Sequence, residues 1–585
     1  MIYKLKYTPV FAVFLAMLFI SSCRTEPNNK SSNTTDKSPS SLQVRLISQP
    51  DGLSPILARR GVSRQVYRHL YTRLLEVDPK TSDYVPQLAV SMPVDETLEN
   101  GHHKITFSIH PNAMWSDNTP LTTEDILFSY KLLKHPGIQT RYGVILDAVN
   151  NIQIDPLKAN TITFTTNECQ ITLVNTLCEM YIYPEHIFDP EKTMRAIPFT
   201  TFLDKEKITA QVEDNNALAK VGERFMNPAY YRDASKFVTS SAYTFKEWLA
   251  GQRITIQKNK DWWGNKIDAP IFKPKAEQIE FQIIPDNNTA ATQLINGELD
   301  AIVNIPAVLY DEYKNNESVQ AKESSAYVTV WLALNNEKGL LSDRLVRLAL
   351  SHICDTESIV KNALNNHAAP VTGPFMPGTE MYNNEVPPIP FDVEKARDLL
   401  RTIGWTDSDK DGILDKVIDG KKTNLSLKFA LSNNSTTGPI IAEIIKNNAK
   451  QAGIDIQIEP GDDKSIIQMV RAGDFDIFLT GTSFGSGLYD PTGRWHTKSF
   501  PPNGGNYCRY GNTETDAIID QIKNSCENDA ELINAYHRLH ASIAADQPVI
   551  FLYNPKVLFL INKKFDNVVV SPDRPGLFEE YLTLN

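Results

Sequence analysis

Between Leu425 and Leu479 the chain adopts a rhythm that few architectures accommodate. Leu425, Leu427, Phe429 and Leu431 alternate with other residues as a strand does, and Ile440, Ile441, Ile444 and Ile445 then line one helix face. Ile454, Ile456 and Ile458 alternate again, and after another helical stretch Asp476–Thr480 reads as a third strand. Strand, helix, strand without a tight turn implies parallel strands with helices laid over the sheet, because only a long crossover returns the chain in the same direction. Other stretches read as simple alternating strands: Gln43–Ile47, Lys104–Ile109, Arg253–Gln257 and Gln278–Ile284. A turn-rich loop, Gln49 to Pro55, precedes a helical pattern through Val66, Leu70 and Leu74. Thr122 and Asp125 stand at capping-box spacing and open a helix with Ile126, Leu127, Tyr130 and Leu133 inward. No fixed internal repeat is present, so the reading is a mixed α/β body.

The N-terminus sets the compartment. Lys4 and Lys6 precede an apolar run from Val10 to Ile20, too short to cross a bilayer, so residues 1–22 read as a signal peptide. Ile20-Ser21-Ser22-Cys23 resembles a lipobox, in which the cysteine is acylated through its thiol and becomes the mature N-terminus. Two or three acyl chains anchor stably where one does not. Residues 23–41 hold few large apolar side chains and read as a flexible tether. No later run reaches 18 apolar residues, and residues 42–585 are too many for one core, which implies two or three lobes.

A formal charge of −11 argues against nucleic acid as a partner. Six cysteines include Cys23, and the other five leave at least one free thiol. No C-x-x-C pair is present, which speaks against a structural zinc or redox motif. Either Cys169 bridges Cys178, or all five are buried small hydrophobes. There is no G-x-S-x-G elbow, no H-E-x-x-H and no phosphate-binding glycine loop, so no enzyme class is indicated.

Several longer stretches fall in a telling order. Ile105 to Leu133 reads ITFSIHPNAMWSDNTPLTTEDILFSYKLL, with Asn118 where glycine is usual in a W-S-D-G-T-P-L-T turn. SSAYTFKEW begins at Ser240, ITIQKNKDWWGNK at Ile254 and QLINGELDAI at Gln293. LSDRLVRLALSHICDTESIV begins at Leu341, and DVEKARDLLRTIGWTDSDKDGILDK at Asp392. Together these resemble the family 5 extracellular solute-binding proteins, the dipeptide-, oligopeptide- and nickel-binding components of ABC importers. The resemblance implies a bilobed, periplasmic-binding-protein-like α/β fold of three discontinuous domains with βαβ units and mixed sheets. Domain I would take residues 42–86, 235–325 and 548–585, domain II an insertion at 87–234, and domain III 326–547. Residues 190–234 look like extra length in domain II. The implied protein is an extracytoplasmic, membrane-anchored monomer of a bacterium that closes its lobes on a solute and delivers it to an ABC permease.

The resemblance also implies a site. Ligand would lie between the loop after the first strand, with Asp51, Gly52 and Leu53, and the loop SFGSGLYDPTGRW. In that second loop Ser483, Phe484, Tyr489, Asp490, Arg494 and Trp495 are the expected contacts, the aromatics giving area and the charges orientation. Dipeptide-binding members resemble G-D-N-G-D-P here, the first aspartate holding the ligand's ammonium; this chain carries Gly487 at that position, so the anchor is missing or moved. Peptide is the leading ligand, with oligosaccharide, an opine-like compound or a metal chelate as alternatives. A receptor that docks on a membrane sensor uses the same clamp. No cofactor is required, although Asp407, Asp409, Asp411 and Asp415 with Gly412 resemble the start of a calcium loop whose twelfth position is Ile418 and not glutamate.

Overall fold

The computed structural model describes residues 39–98, 102–167, 170, 172–525, 528–573 and 575–585. The leader, Cys23, Cys169 and Cys526 lie outside them. Among the described residues no helix is long and apolar enough to cross a membrane.

A twelve-stranded mixed sheet runs through the body. At one end Leu42–Leu46 lies parallel to Gln278–Ile283, with Leu42 opposite Ile279, and to Ala301–Val303. Arg253–Lys258 and Tyr243–Leu249 extend this edge antiparallel. At the other end Ser426–Ser432 pairs in parallel with both Asp455–Gly461 and Ile477–Ser483. Helices Gly438–Gln451 and Asp463–Ala472 make the crossovers, so the rhythm that opened the sequence reading is a βαβαβ unit. Ile441, Ala442 and Ile445 are buried against it, whereas Ile440 is 43 % exposed: the helix face is narrower than four isoleucines suggest.

The two ends share one strand, Val549–Asn562. Its first half pairs with Val328–Leu334 across a register shift at Val330/Trp331, and its second half pairs with Ala301–Val303 and Val319–Ser325. Beside it the chain crosses a second time at Ala326–Val328. The buried Asn554 amide donates to the carbonyls of Ala326 and Val328, both at 2.7 Å, and Ala326 N–H donates to Pro555 O at 2.8 Å. The two crossovers are therefore fastened side by side.

A four-stranded antiparallel sheet is inserted after the first strand, in the spatial order Val94–Thr97, His103–Ser108, Thr161–Thr166, Val149–Ile154. Helix Thr123–Leu132 packs on it, with the Tyr130 ring edge-on to Phe164 at 4.9 Å. The capping box forms: Thr122 N–H donates to Asp125 Oδ2 at 2.8 Å. Asn118 sits at φ 67°, the left-handed geometry in which asparagine replaces glycine at small cost. Apolar residues of this sheet and of the first are contiguous in a single core, while the βαβ end has cores of its own.

The expected helix through Leu74 stops at Tyr67. Leu70 and Leu74 are buried beyond it in irregular backbone, where His69 meets Glu579 at 3.1 Å. Residues 190–234 form helices Phe199–Leu203, Lys205–Asp214 and Asn216–Met226, which bury Phe202, Ile208, Leu218 and Phe225 in the main core. Lys131 reaches this segment from the inserted helix, its ammonium donating to Met194 O and Ile197 O at 2.7 Å, and burial lowers its pKa to about 8. Cys178, Cys354 and Cys508 are buried and unbridged.

Candidate functional site

A cavity of about 380 Å³ opens where the inserted sheet's lobe faces the loop after Ile477–Ser483. That volume lies near the lower end of the roughly 300–1,000 Å³ usual for small-ligand sites. On one side it is lined by Pro55, Ile56, Tyr84, Asn175, Glu179 and Tyr181; on the other by Gly485 to Ser486 and Leu488 to Asp490.

The two sides touch. Tyr84 hydroxyl donates to Glu179 Oε1 at 2.6 Å and also lies 3.3 Å from Ser486 O across the cleft. Burial, and then the Glu179 carboxylate, push the Tyr84 hydroxyl far above its ordinary pKa, so it remains a donor. Beside it Gly487, at φ 80°, approaches helix Leu173–Cys178 so closely that a Cβ there would stand 2.5 Å from Asn175 Nδ2 and 3.4 Å from the Tyr84 ring. The glycine that departs from the family's loop pattern is where this backbone needs both a left-handed conformation and the absence of a side chain.

The arginines at the cleft each have a carboxylate. Arg64 meets both oxygens of Asp573 at 3.1 Å. Arg73 pairs with Glu76 and lies over the Tyr181 ring at 5.0 Å; burial works against its charge, but Glu76 and Tyr181 hold it protonated. Glu179 and Asp490, by contrast, have no cation within ion-pair distance among the described residues. The hydroxyls of Tyr181 and Ser486 are buried without a hydrogen-bond partner.

Of the residues expected from sequence, only Tyr489 and Asp490 line this cavity. Asp51 lies outside it: its carboxylate accepts from Arg59 N–H at 2.8 Å and from Ser63 Oγ at 2.7 Å, capping the turn into helix Gly61–Tyr67. Partial burial raises that carboxyl, but the Ser63 hydroxyl and the N–H groups of Arg59 and Arg60 outweigh it and leave the pKa lowered. Gly52 does not line the cavity and Leu53 is wholly buried, so the loop presents Pro55 and Ile56 instead. Ser483 is exposed at the strand end and does not line the cavity, and Phe484 supports Tyr489 edge-on at 5.0 Å. Arg494 donates to Gly505 O at 3.2 Å and covers the Tyr507 ring. Trp495 is a core residue with no exposure, packed on Trp331 and Phe551, because an aromatic at the end of the single helical turn Thr492–Trp495 is as well placed to bury as to bind.

The acidic turn carries its own counter-charge. Lys422 ammonium sits on Asp409 and, at 3.4 Å, on Asp415, while Asp407 accepts from the N–H groups of Asp411 and Gly412 at 3.1 Å. Asp411 turns aside to cap Ile413 N–H at 2.8 Å. A calcium ion would have to displace the ammonium. Excess calcium is therefore expected to leave the melting temperature unchanged, whereas Lys422→Ala should acquire a calcium-dependent rise; thermal melts with and without chelator decide it.

The family model described as "Bacterial extracellular solute-binding proteins, family 5 Middle" matches residues 83–504. The chain is similar to the oligopeptide-binding protein AppA of Bacillus subtilis, 24 % identical over 577 residues, covering 95 % of this chain and 94 % of the relative. It is also similar to the periplasmic oligopeptide-binding protein OppA of Salmonella typhimurium, 24 % identical over 472 residues, covering 79 % and 78 %. The solved structure of Bacillus subtilis AppA with a nonapeptide superposes with a TM-score of 0.67, covering 94 % of this chain and all of that one, at 23 % identity.

Proposed function

Because this chain belongs to the bacterial extracellular solute-binding proteins of family 5, a family of binders and not of enzymes, we propose that it captures a peptide between its lobes for an ABC importer. The observation that carries this reading is the cavity itself, closed from both sides and bridged by Tyr84. Two relatives whose names specify oligopeptides lend support to peptide as the solute. Capture by closure needs a hinge, and the paired crossovers at Ala326–Val328 and Asn554–Pro555, where the chain passes between the sheet's two ends, supply one. The ligand shifts that equilibrium by no more than its preference for the closed form.

The test is native mass spectrometry of the leaderless protein purified from rich medium, with release of its ligand by mild denaturation. A set of masses spaced by amino-acid residues is expected. A single non-peptide mass would replace peptide by another solute.

We further assign Cys23 as the lipid anchor, residues 24–41 as the tether and the protein as a monomer delivering to a membrane permease. The support is the lipobox-like tetrad ahead of a chain in which no described helix can span a bilayer. Cys23→Ala is expected to move the protein from the membrane fraction to the soluble extracytoplasmic fraction; retention in the membrane would remove the anchor.

A further inference from the structure

We propose that His367 is a proton-operated clip at the hinge: as an imidazolium it joins the βαβ end of the molecule to Asp311 and Glu323 of the other end, and so favours the arrangement in which the lobes meet. The inference rests on the capture reading above and adds a control to it. Position in the fold leads there. Strand Ala368–Pro370, which follows His367 directly, pairs with Tyr553, Asn554 and Pro555 of the shared strand, and strand Val319–Ser325 takes up the same edge from Lys556 onward. The edge therefore passes from one end of the sheet to the other between Pro555 and Lys556. At that point the His367 carbonyl accepts from Lys556 N–H at 3.0 Å. Behind His367, helix Thr356–Leu364 belongs to the βαβ end through the buried Ile359 and Val360. Asp311 lies on helix Ala307–Tyr313, whose Tyr310 packs in a separate core with Leu558 and Leu560, and Glu323 lies on strand Val319–Ser325. A bend at the shared strand thus moves His367 relative to both partners.

Hydrogen-bond chemistry sets the charge of the ring in this arrangement. Its Nε2 lies 3.2 Å from Asp311 Oδ1, and its Nδ1 lies 3.1 Å from Glu323 Oε1. Ionised carboxylates only accept, and a neutral imidazole donates from one nitrogen alone, so one of the two contacts would set a lone pair against an oxygen. The imidazolium donates from both nitrogens. With the ring only 9 % exposed, these contacts are screened less than those of a surface pair.

The other charged and titratable groups around the ring favour ionised carboxylates. Lys314 sits on Asp311 at 2.7 Å, and Lys556 sits on Glu323 at 3.2 Å. Lys314, and after it His367, keep the Asp311 carboxyl below the ordinary aspartate range despite some burial. Tyr310 meets the ring edge-on at 5.1 Å; burial and then the Glu323 carboxylate push its hydroxyl up to about 12, so it stays neutral. Helix Thr356–Leu364 brings no ion pair to the ring among the described residues. Imidazole is the side chain whose charge ordinarily changes between about pH 5 and 8. Loss of the ring's proton removes one of the two contacts, so the proton favours the joined arrangement. By linkage, closure on solute takes up a proton, and solute is held more tightly as pH falls through that range and less tightly as it rises.

The experiment pairs two measurements at about pH 5.5 and about pH 7.5, on either side of the ordinary imidazole value. One is small-angle X-ray scattering of the leaderless protein, emptied of solute by mild denaturation and refolded. The other is calorimetric binding of a defined di- to tetrapeptide library. Wild type is compared with His367→Gln, which has no proton to gain, and with Asp311→Asn, which gives the ring one neutral partner. Wild type is expected to scatter as a more compact body at the lower pH. Its affinity should rise there about five- to tenfold beyond any rise shown by His367→Gln, a comparison that removes the titration of the peptides' own termini and of the cleft carboxylates. Asp311→Asn should keep part of the rise, and it carries the comparison alone if His367→Gln does not fold. A merely structural histidine would lower the melting temperature of its variant and leave the pH dependence of shape and binding common to all three proteins. That shared dependence, with peptides bound, would overturn the clip and leave peptide capture standing. A pH-dependent shape in wild type alone, with no peptide bound at either pH, would uphold the clip and overturn peptide capture. No binding and no difference among the proteins would overturn both.

Discussion

Glu579→Ala is expected to destabilise the protein by about 3–5 kcal/mol, read as a fall in the urea midpoint. Glu579 has no exposure and lies at the centre of a buried ionic cluster. Arg68 donates to it at 2.9 Å and to Glu580 at 2.8 Å, and His69 Nε2 meets its other oxygen at 3.1 Å. Removing the carboxylate leaves the buried His69 ring without its partner and the Arg68 guanidinium, against the Phe578 ring, with Glu580 and the Leu577 carbonyl alone, which loosens the C-terminal segment from the end of helix Gly61–Tyr67. Breaking one partner of such a pair costs more than replacing both, so Arg68→Met with Glu579→Leu should recover much of the loss. The sign with pH follows from the same contacts. Burial raises the Glu579 carboxyl, but Arg68 and His69 outweigh it and hold the pKa below the ordinary glutamate value. A depressed acid contributes stability that is complete above its unfolded value and is lost as pH falls through the folded one. Wild type should therefore lose this contribution on acidification below the ordinary glutamate range, and Glu579→Ala should show a shallower slope there. Equal slopes for both proteins would show that the cluster is not what titrates.

Gly487→Val is expected to weaken peptide binding about thirty- to a hundredfold while the unliganded protein folds. A branched side chain at φ 80° is strained in every state, which lowers stability modestly. The clash is different, because a Cβ would lie 2.5 Å from Asn175 Nδ2 across the cleft, a contact that opening of the proposed clamp would relieve. Overpacking of this kind costs about 2–3 kcal/mol, and it falls on the closed state alone. Asn175→Ala should relieve it, so Gly487→Val with Asn175→Ala should bind more tightly than Gly487→Val. If the second substitution gives no recovery, the Gly487–Asn175 approach is not part of closure.

Much of the fold was legible because its signals are local. Alternation at Leu425 to Leu431 and Ile454 to Ile458, with a helix-period stretch between, implied parallel strands, and those strands pair in parallel. Thr122 and Asp125 close their capping box within one turn, and Asn118 takes the left-handed turn expected of it. The site was far less legible. Asp51 and Trp495 are polar and aromatic residues in loops of the right kind, yet one caps a turn and the other fills a core. Tyr84, Asn175, Glu179 and Tyr181 carried no signal: each is a single residue beside a short or irregular element, with nothing periodic to mark its direction.

The sequence by itself determined the α/β class, the parallel unit, the resemblance that proved to be family membership, and the absence of the family's loop aspartate at Gly487. These depend on side-chain period and on residue identity, which act over a few neighbours. Only the tertiary structure decided what the cleft presents. Tyr84 and Ser486 are 402 positions apart and meet because one strand, Val549–Asn562, joins two sheet ends whose loops then face each other. Which arginines are already paired and which carboxylates are not is likewise a property of that convergence. Charge is written in the sequence, but its neutralisation is a matter of distance.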